Sequence, residues 1–194
     1  MLTANSLGFA RFLLALPGML LGRLRQRAAL RRELAALLQV EEARIRLYDS
    51  GRAAFAALQL GEHARLYWGC DVLTQGAGRL LLGAHSHLAP HCYCLIGSKQ
   101  LQFGNHVAVG PRSMFFCHSN GIPADAPATP FTACHIDGDI RVGNNVFIGA
   151  GCIVLPGSRI GDNVVVGAGS VVKGELESGW VYAGQPARKV KALC

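Results

Sequence analysis

Branched aliphatic residues recur at a strict spacing of six through the C-terminal half of the chain: Ile136, Val142, Ile148, Val154, Ile160, Val166 and Val172. Glycine follows four of them directly, as Val142-Gly143, Ile148-Gly149, Ile160-Gly161 and Val166-Gly167. A short period held in unbroken phase is the signature of a parallel β-helix, in which each hexad forms one face of a triangular coil. The aliphatic side chain points inward, and small neighbours admit a tight corner. The corners read Gly143-Asn144-Asn145 and Gly161-Asp162-Asn163, residue types that tolerate turn and left-handed backbone.

A weaker form of the pattern begins at Leu60-Gly61 and passes through Leu66 and Val72. After a phase break it continues at Leu82-Gly83, Leu88 and Cys94, and after another at Phe103-Gly104, Val109-Gly110 and Phe115. There it stops: residues 117–134 carry three prolines and no periodic aliphatic. A solenoid tolerates an insertion at a corner because each coil touches only its neighbours. Long loops in compact domains are usually functional. The hexads are expected to resume at Ile136. The expected division is therefore an N-terminal segment over 1–55, a repeat domain over 56–173 with a protruding loop at 117–134, and a tail over 174–194.

The N-terminal segment lacks the hexad. Phe9, Phe12, Leu13, Leu16, Met19, Leu20 and Leu24 crowd together, and a dense run of arginines from Arg23 to Arg32 follows, which predicts a basic amphipathic helix. A spanning helix needs about 20 apolar residues, and Arg11 and Pro17 interrupt this run. No small-residue cleavage site of the usual secretory form follows it. Two readings stand open: a helix lying on anionic lipid, or one packed on the solenoid end or on another subunit.

Composition agrees with a solenoid filled by Val, Ile and Leu, with 24 glycines, 51% hydrophobic and only 7% aromatic residues. Of the net charge of +7, most lies in residues 1–48, where eight arginines face Glu33, Glu41 and Glu42. A nearly balanced remainder argues against a nucleic-acid surface spread over the fold. Seven cysteines form no compact framework, so they read as reduced thiols in a cytoplasmic protein. Cys152 and others sit inside hexads as small apolar fillers.

The stretch VGNNVFIGAGCIVLPGSRIGDNVVVGAGSVVKGELESGWVYAGQPARKVK, residues 142–191, resembles the hexapeptide-repeat acyltransferases of the maltose, galactoside and xenobiotic O-acetyltransferase type. The resemblance runs from Leu60 onward and is most specific in the last third. It implies a mainly β, left-handed parallel β-helix, a homotrimer, and acetyl-CoA held between coils of neighbouring subunits. The family's catalytic histidine stands where the solenoid breaks into a loop, and His118 holds that place. An imidazole titrates near neutral pH, so it can take a proton from a saccharide hydroxyl and return one to the leaving thiolate.

For the donor, the resemblance carries Phe147, Gly149, Ala150, Gly167, Ala168, Lys173, Arg188 and Lys191 onto the pantetheine and phosphate contacts. Small residues admit a chain close to backbone amides, and cations suit phosphates. Val172 stands where the family commonly has threonine before its lysine. For the acceptor, His87, His91 and Asn120 are the candidates, although the stretch around His87 lacks the family's asparagine. The implied activity is O-acetylation of a saccharide in cell-surface polysaccharide or lipid-linked glycan synthesis, in the cytoplasm or peripherally at the inner membrane face.

Two alternatives remain: a non-catalytic, membrane-associated β-helix scaffold, and a metal-dependent enzyme on the same fold. The second would use Cys117-His118 with Cys134-His135, whose spacing fits no familiar zinc module. No metal is expected.

Overall fold

The computed structural model describes Arg46–Leu47, residues 57–124 and residues 128–193. The expected N-terminal helix, with its membrane or packing role, lies outside the described residues. One exception is informative: Arg46–Leu47, inside the segment expected to be helical, is a strand paired in parallel with Asp71 and Val72.

The described chain is a triangular parallel β-helix of three sheets. The first face is built from Leu58–Leu60, Arg79–Leu82, Gln100–Phe103, Ile140–Val142, Arg159–Ile160 and Glu175–Leu176. The second carries Arg65–Leu66, His87–Leu88, Ala108–Val109, Phe147–Ile148, Val165–Val166, Trp180–Gly184 and Ala187–Ala192. The third carries Arg46–Leu47, Asp71–Thr74, Tyr93–Gly97, Met114–Phe116, Ile153–Val154 and Val171–Val172.

Inward residues of successive coils stack in columns, three of which run through the described coils, while Leu80, Leu101 and Ile140 form a further buried column on the first face. Leu60, Leu82, Phe103, Val142, Ile160 and Leu176 share register on the first face. Leu66, Leu88, Val109, Ile148, Val166 and Tyr182 do so on the second, and Val72, Cys94, Phe115, Val154 and Val172 on the third. Phe103 and Phe115 meet edge to face at 5.1 Å and fill the coil beneath the insertion. Burial pushes the Cys117 thiol up to about 12, so it serves the interior as a neutral filler.

The corner between the first and second faces is stitched by side chains. Asn105 Oδ1 accepts from Ala84 N at 2.8 Å, Asn144 Oδ1 from Asn105 N at 2.9 Å, and Ser178 Oγ from Asp162 N at 2.9 Å. Asp162 Oδ1 caps Asn144 N in the same way. Corner residues with positive φ are His63, His85, His106, Asn145 and Asn163, types that enter the left-handed region more readily than most. At Gly149 the reason for glycine is contact, because a Cβ there would lie 2.5 Å from Ala168 N in the next coil.

Every departure from the regular coil falls at one corner, between the third and first faces. The turn at Gln75–Gly78 and the bend at Gly97–Lys99 cause the two phase breaks. The third departure is an arm. Cys117 N still donates to Leu95 O at 2.8 Å, and Gly138 N closes the base by donating to Cys117 O at 2.9 Å. Between them His118–Asn120 and His135–Asp137 form an antiparallel ribbon.

This corrects the expected resumption of the hexads. Ile136 is half exposed on the ribbon, and the solenoid resumes with Ile140 and Val142. Ile136 matches the phase only because it lies six residues before Val142; the arm itself breaks the count. The tail expected from residue 174 is also different: Leu176 and Tyr182 extend the inward columns, and only Ala187–Ala192 leaves the repeat, folding back antiparallel on Trp180–Gly184.

Ile148→Ala, in the column, is expected to cost about 2–5 kcal/mol. Ile136→Ala, on the ribbon, should stay within about 0.5 kcal/mol. Urea-denaturation midpoints of the two variants check this, and equal losses would restore Ile136 to the core.

Candidate functional site

The ribbon presents the chemistry. Residues directly opposed across an antiparallel pair share a face, as do residues two apart on one strand. His118 opposes Asp137 and Asn120 opposes His135, so these four polar side chains project from one face. Ser119 and Ile136 take the other. His118 Nδ1 lies 2.5 Å from Asp137 Oδ1, with the two side chains 39% and 42% exposed. The His135 ring sits 5.0 Å from that of His118. Gly97 lies beneath, where an added Cβ would rest 3.7 Å from His118 Cβ.

The hydrogen bond from His118 holds the Asp137 carboxyl below the usual carboxylate range, with the charges of His118, Lys99 and His135 adding to the effect. An ionised carboxylate accepts only, so Nδ1 donates the proton of this hydrogen bond. The pair is half exposed, so the imidazole is open to solvent.

Asp137 was not among the residues singled out from sequence, and His135 was named only for the metal-dependent alternative. The signal available was that an arm with fixed ends brings its two stems together, so the residues flanking Cys134 become neighbours of those following Cys117. Of the expected acceptor residues, Asn120 joins His118 on the ribbon. His87 and His91 do not: His87 lies half-buried on the second face against Tyr67. His91 is a positive-φ corner residue packed on Trp68 at 4.4 Å.

The expected donor residues divide among three places. Gly149, Ala150, Gly167 and Ala168 line the edge between the second and third faces, where absent or small side chains keep adjacent coils in close contact. Phe147 stands beside them on the second face, half exposed between Ala108 and Val165. Lys173 lies instead on the edge that carries the arm. Arg188 and Lys191 lie on the closing strand, whose Lys189 pairs with Glu177 at 2.8 Å and covers Trp180 at 4.3 Å. Within one chain, His118 and the Gly149–Ala168 edge are thus separated by the width of the third face. Among the described residues no group of three or more His, Cys, Asp or Glu is placed to hold a metal ion.

Residues 139–174 match the family described as bacterial transferase hexapeptide (six repeats). Protein CapG of Staphylococcus aureus is 42% identical over 95 residues, 48% of this chain and 53% of that protein. The chain spans about half the length of the curated relatives it matches. Among solved structures, a point mutant of AntD, an N-acyltransferase from Bacillus cereus in complex with dTDP and coenzyme A, aligns with a TM-score of 0.67 and 24% identity. The alignment covers 84% of this chain and 89% of that one. A maltose O-acetyltransferase from Clostridium difficile 630 aligns with a TM-score of 0.51 and 25% identity over 79% and 65% of the two chains. Residues 139–174 carry bacterial transferase hexapeptide repeats, and the solenoid has the left-handed β-helix fold of the similar solved chains.

The Asp137 carboxyl is expected to titrate below its ordinary range in the native protein and to return to that range in His118→Ala, followed by carbon NMR of the carboxyl. Since the folded-state value is depressed, its contribution to stability holds above the ordinary carboxyl pKa and is lost as pH falls through the depressed one.

Proposed function

We propose that the protein is an acetyl-CoA-dependent O-acetyltransferase that acylates a saccharide hydroxyl, with His118 as general base. The observation that carries this reading is the 2.5 Å contact between His118 Nδ1 and Asp137 on an exposed arm. Asp137 fixes the tautomer, and Nε2 takes the proton as the hydroxyl oxygen attacks the thioester carbonyl. The tetrahedral intermediate then collapses, the carbon–sulfur bond breaks, and the imidazolium returns its proton to the departing thiolate. A hydrogen-bonded carboxylate stabilises the imidazolium that forms between these steps. Asn120, on the same ribbon face, is suited to holding the acceptor.

Phe147, Gly149, Ala150, Gly167 and Ala168 offer the donor a narrow, small-residue edge, with Lys173, Arg188 and Lys191 as cations for its phosphates. Because that edge and His118 lie on opposite margins of the third face, the reading calls for a donor edge supplied by a second copy, in a homotrimer. The outer side of that face supports this, since half-buried Tyr93, Leu95, Met114, Phe116, Ile153 and Leu155 make it apolar. The coenzyme A complex and the maltose O-acetyltransferase among the similar structures support the donor and acceptor classes. A role in surface polysaccharide or lipid-linked glycan synthesis, close to the membrane, rests on the basic, apolar pattern of the N-terminal segment.

His118→Ala is expected to lower kcat/KM for acetyl transfer to a saccharide by about 10²–10⁴-fold. Asp137→Asn should lower kcat with little change in the KM for acetyl-CoA. Steady-state assays with a panel of saccharides test this, and wild-type rates in His118→Ala would remove the base from the reading.

A further inference from the structure

The first two described coils carry a cluster that the acyl-transfer reading does not use. A cavity of about 430 Å3 opens on the second face, lined by His63, Arg65, Tyr67, His85, Ser86 and His87. Arg65 and His87 are register partners on adjacent strands, and Tyr67, two residues beyond Arg65, projects from the same side and meets the His87 ring edge-on at 5.7 Å. At the corner, positive φ at His63, His85 and His106 turns three imidazoles into a column with ring centroids 5.1 and 5.0 Å apart.

The lining contains no carboxylate. Glu62 is nearest in sequence, and it approaches Nε2 of His63 at 3.2 Å. Among the described residues Arg65 forms no ion pair. Burial, with Arg65 adding to it, holds His87 below the ordinary imidazole range, which makes it a neutral hydrogen-bonding group beside a permanent cation.

A guanidinium with a fixed fork of donors, flanked by imidazole and phenol donors and lacking a counter-charge, is matched to phosphate oxygens. We infer that this cavity binds the phosphate or diphosphate of a phosphorylated small ligand, with Arg65 as the anchoring cation and His87, His85 and Tyr67 completing the hydrogen bonds. The column of histidines serves the same end, because corner positions filled by asparagine in later coils here supply imidazole donors along the rim. The site lies on a different face from His118 and stands independently of the acyl-transfer reading.

Isothermal titration of the full chain with inorganic pyrophosphate tests this. Wild type and Arg159→Ala, which removes an exposed arginine from the first face, are expected to bind alike. Arg65→Ala should weaken binding by about tenfold or more, as loss of a charge-assisted contact does. Arg65→Lys, which keeps the charge and loses the fork, should fall between. His118→Ala should bind as wild type does. Absence of binding in the wild type, or an equal loss in Arg159→Ala, would overturn the site. Titration with uridine diphosphate and with a short prenyl diphosphate then separates the two sources of the group: tighter binding of the first points to a nucleotide ligand, tighter binding of the second to a lipid-linked one.

Discussion

Coil-to-coil registration is the constraint on which everything else rests. Every inward position is stacked on the equivalent position of the coil before it, so the triangular interior accepts close-packed aliphatic side chains and nothing polar without a partner. The buried serines obey this rule: Ser86 Oγ donates to Gly104 O at 2.8 Å, and Ser113 Oγ to Gly149 O at 3.1 Å. A coil cannot lengthen along a face without shifting a whole column, because a one-residue slip reverses every side chain. Length variation must therefore be discharged at corners. In this protein it is discharged at a single corner, with a turn in one coil, a bend in the next, an arm in the third and a shortened connection between Val172 and Leu176 in the last.

That economy places the chemistry. An arm whose two ends are bonded to each other at Cys117 and Gly138 must begin as an antiparallel ribbon, and a ribbon brings residues distant in sequence into direct opposition. His118 and Asp137 are 19 residues apart, yet they meet because the solenoid clamps both stems. The rigid repeat supplies position and the arm supplies polarity and exposure, so the His118–Asp137 pair is held in place and still reaches solvent.

The glycine and asparagine corners express the same economy elsewhere. The first corner is tied by side-chain caps from Asn105, Asn144, Asp162 and Ser178, which satisfy backbone amides that no strand partner reaches. The next edge is lined by Gly149 and Gly167, where close packing leaves no room for side chains. One margin of the prism is thus knitted shut and another is left smooth. This difference between margins, more than any single residue, sets where a long thin donor could lie.

The hexad period, read alone, was sufficient for the coil, its inward columns and its Asn-Gly corners, because each depends on residues six apart or closer. Loop position was legible for the same reason, because a broken period is a local event, whereas His118 was singled out by the family resemblance at that break. The partnership of His118 with Asp137 was not, since it depends on how the arm's stems pair, and neither was the exposure of Ile136, whose phase matches the repeat by coincidence. Nor could spacing reveal that His63, His85 and His106 form one column, because their alignment requires the unequal coil lengths to be absorbed at the opposite margin. Sequence determined what repeats. Tertiary structure decided which non-repeating residues meet, because contact between them is fixed by coil registration and arm closure across stretches of chain that carry no period.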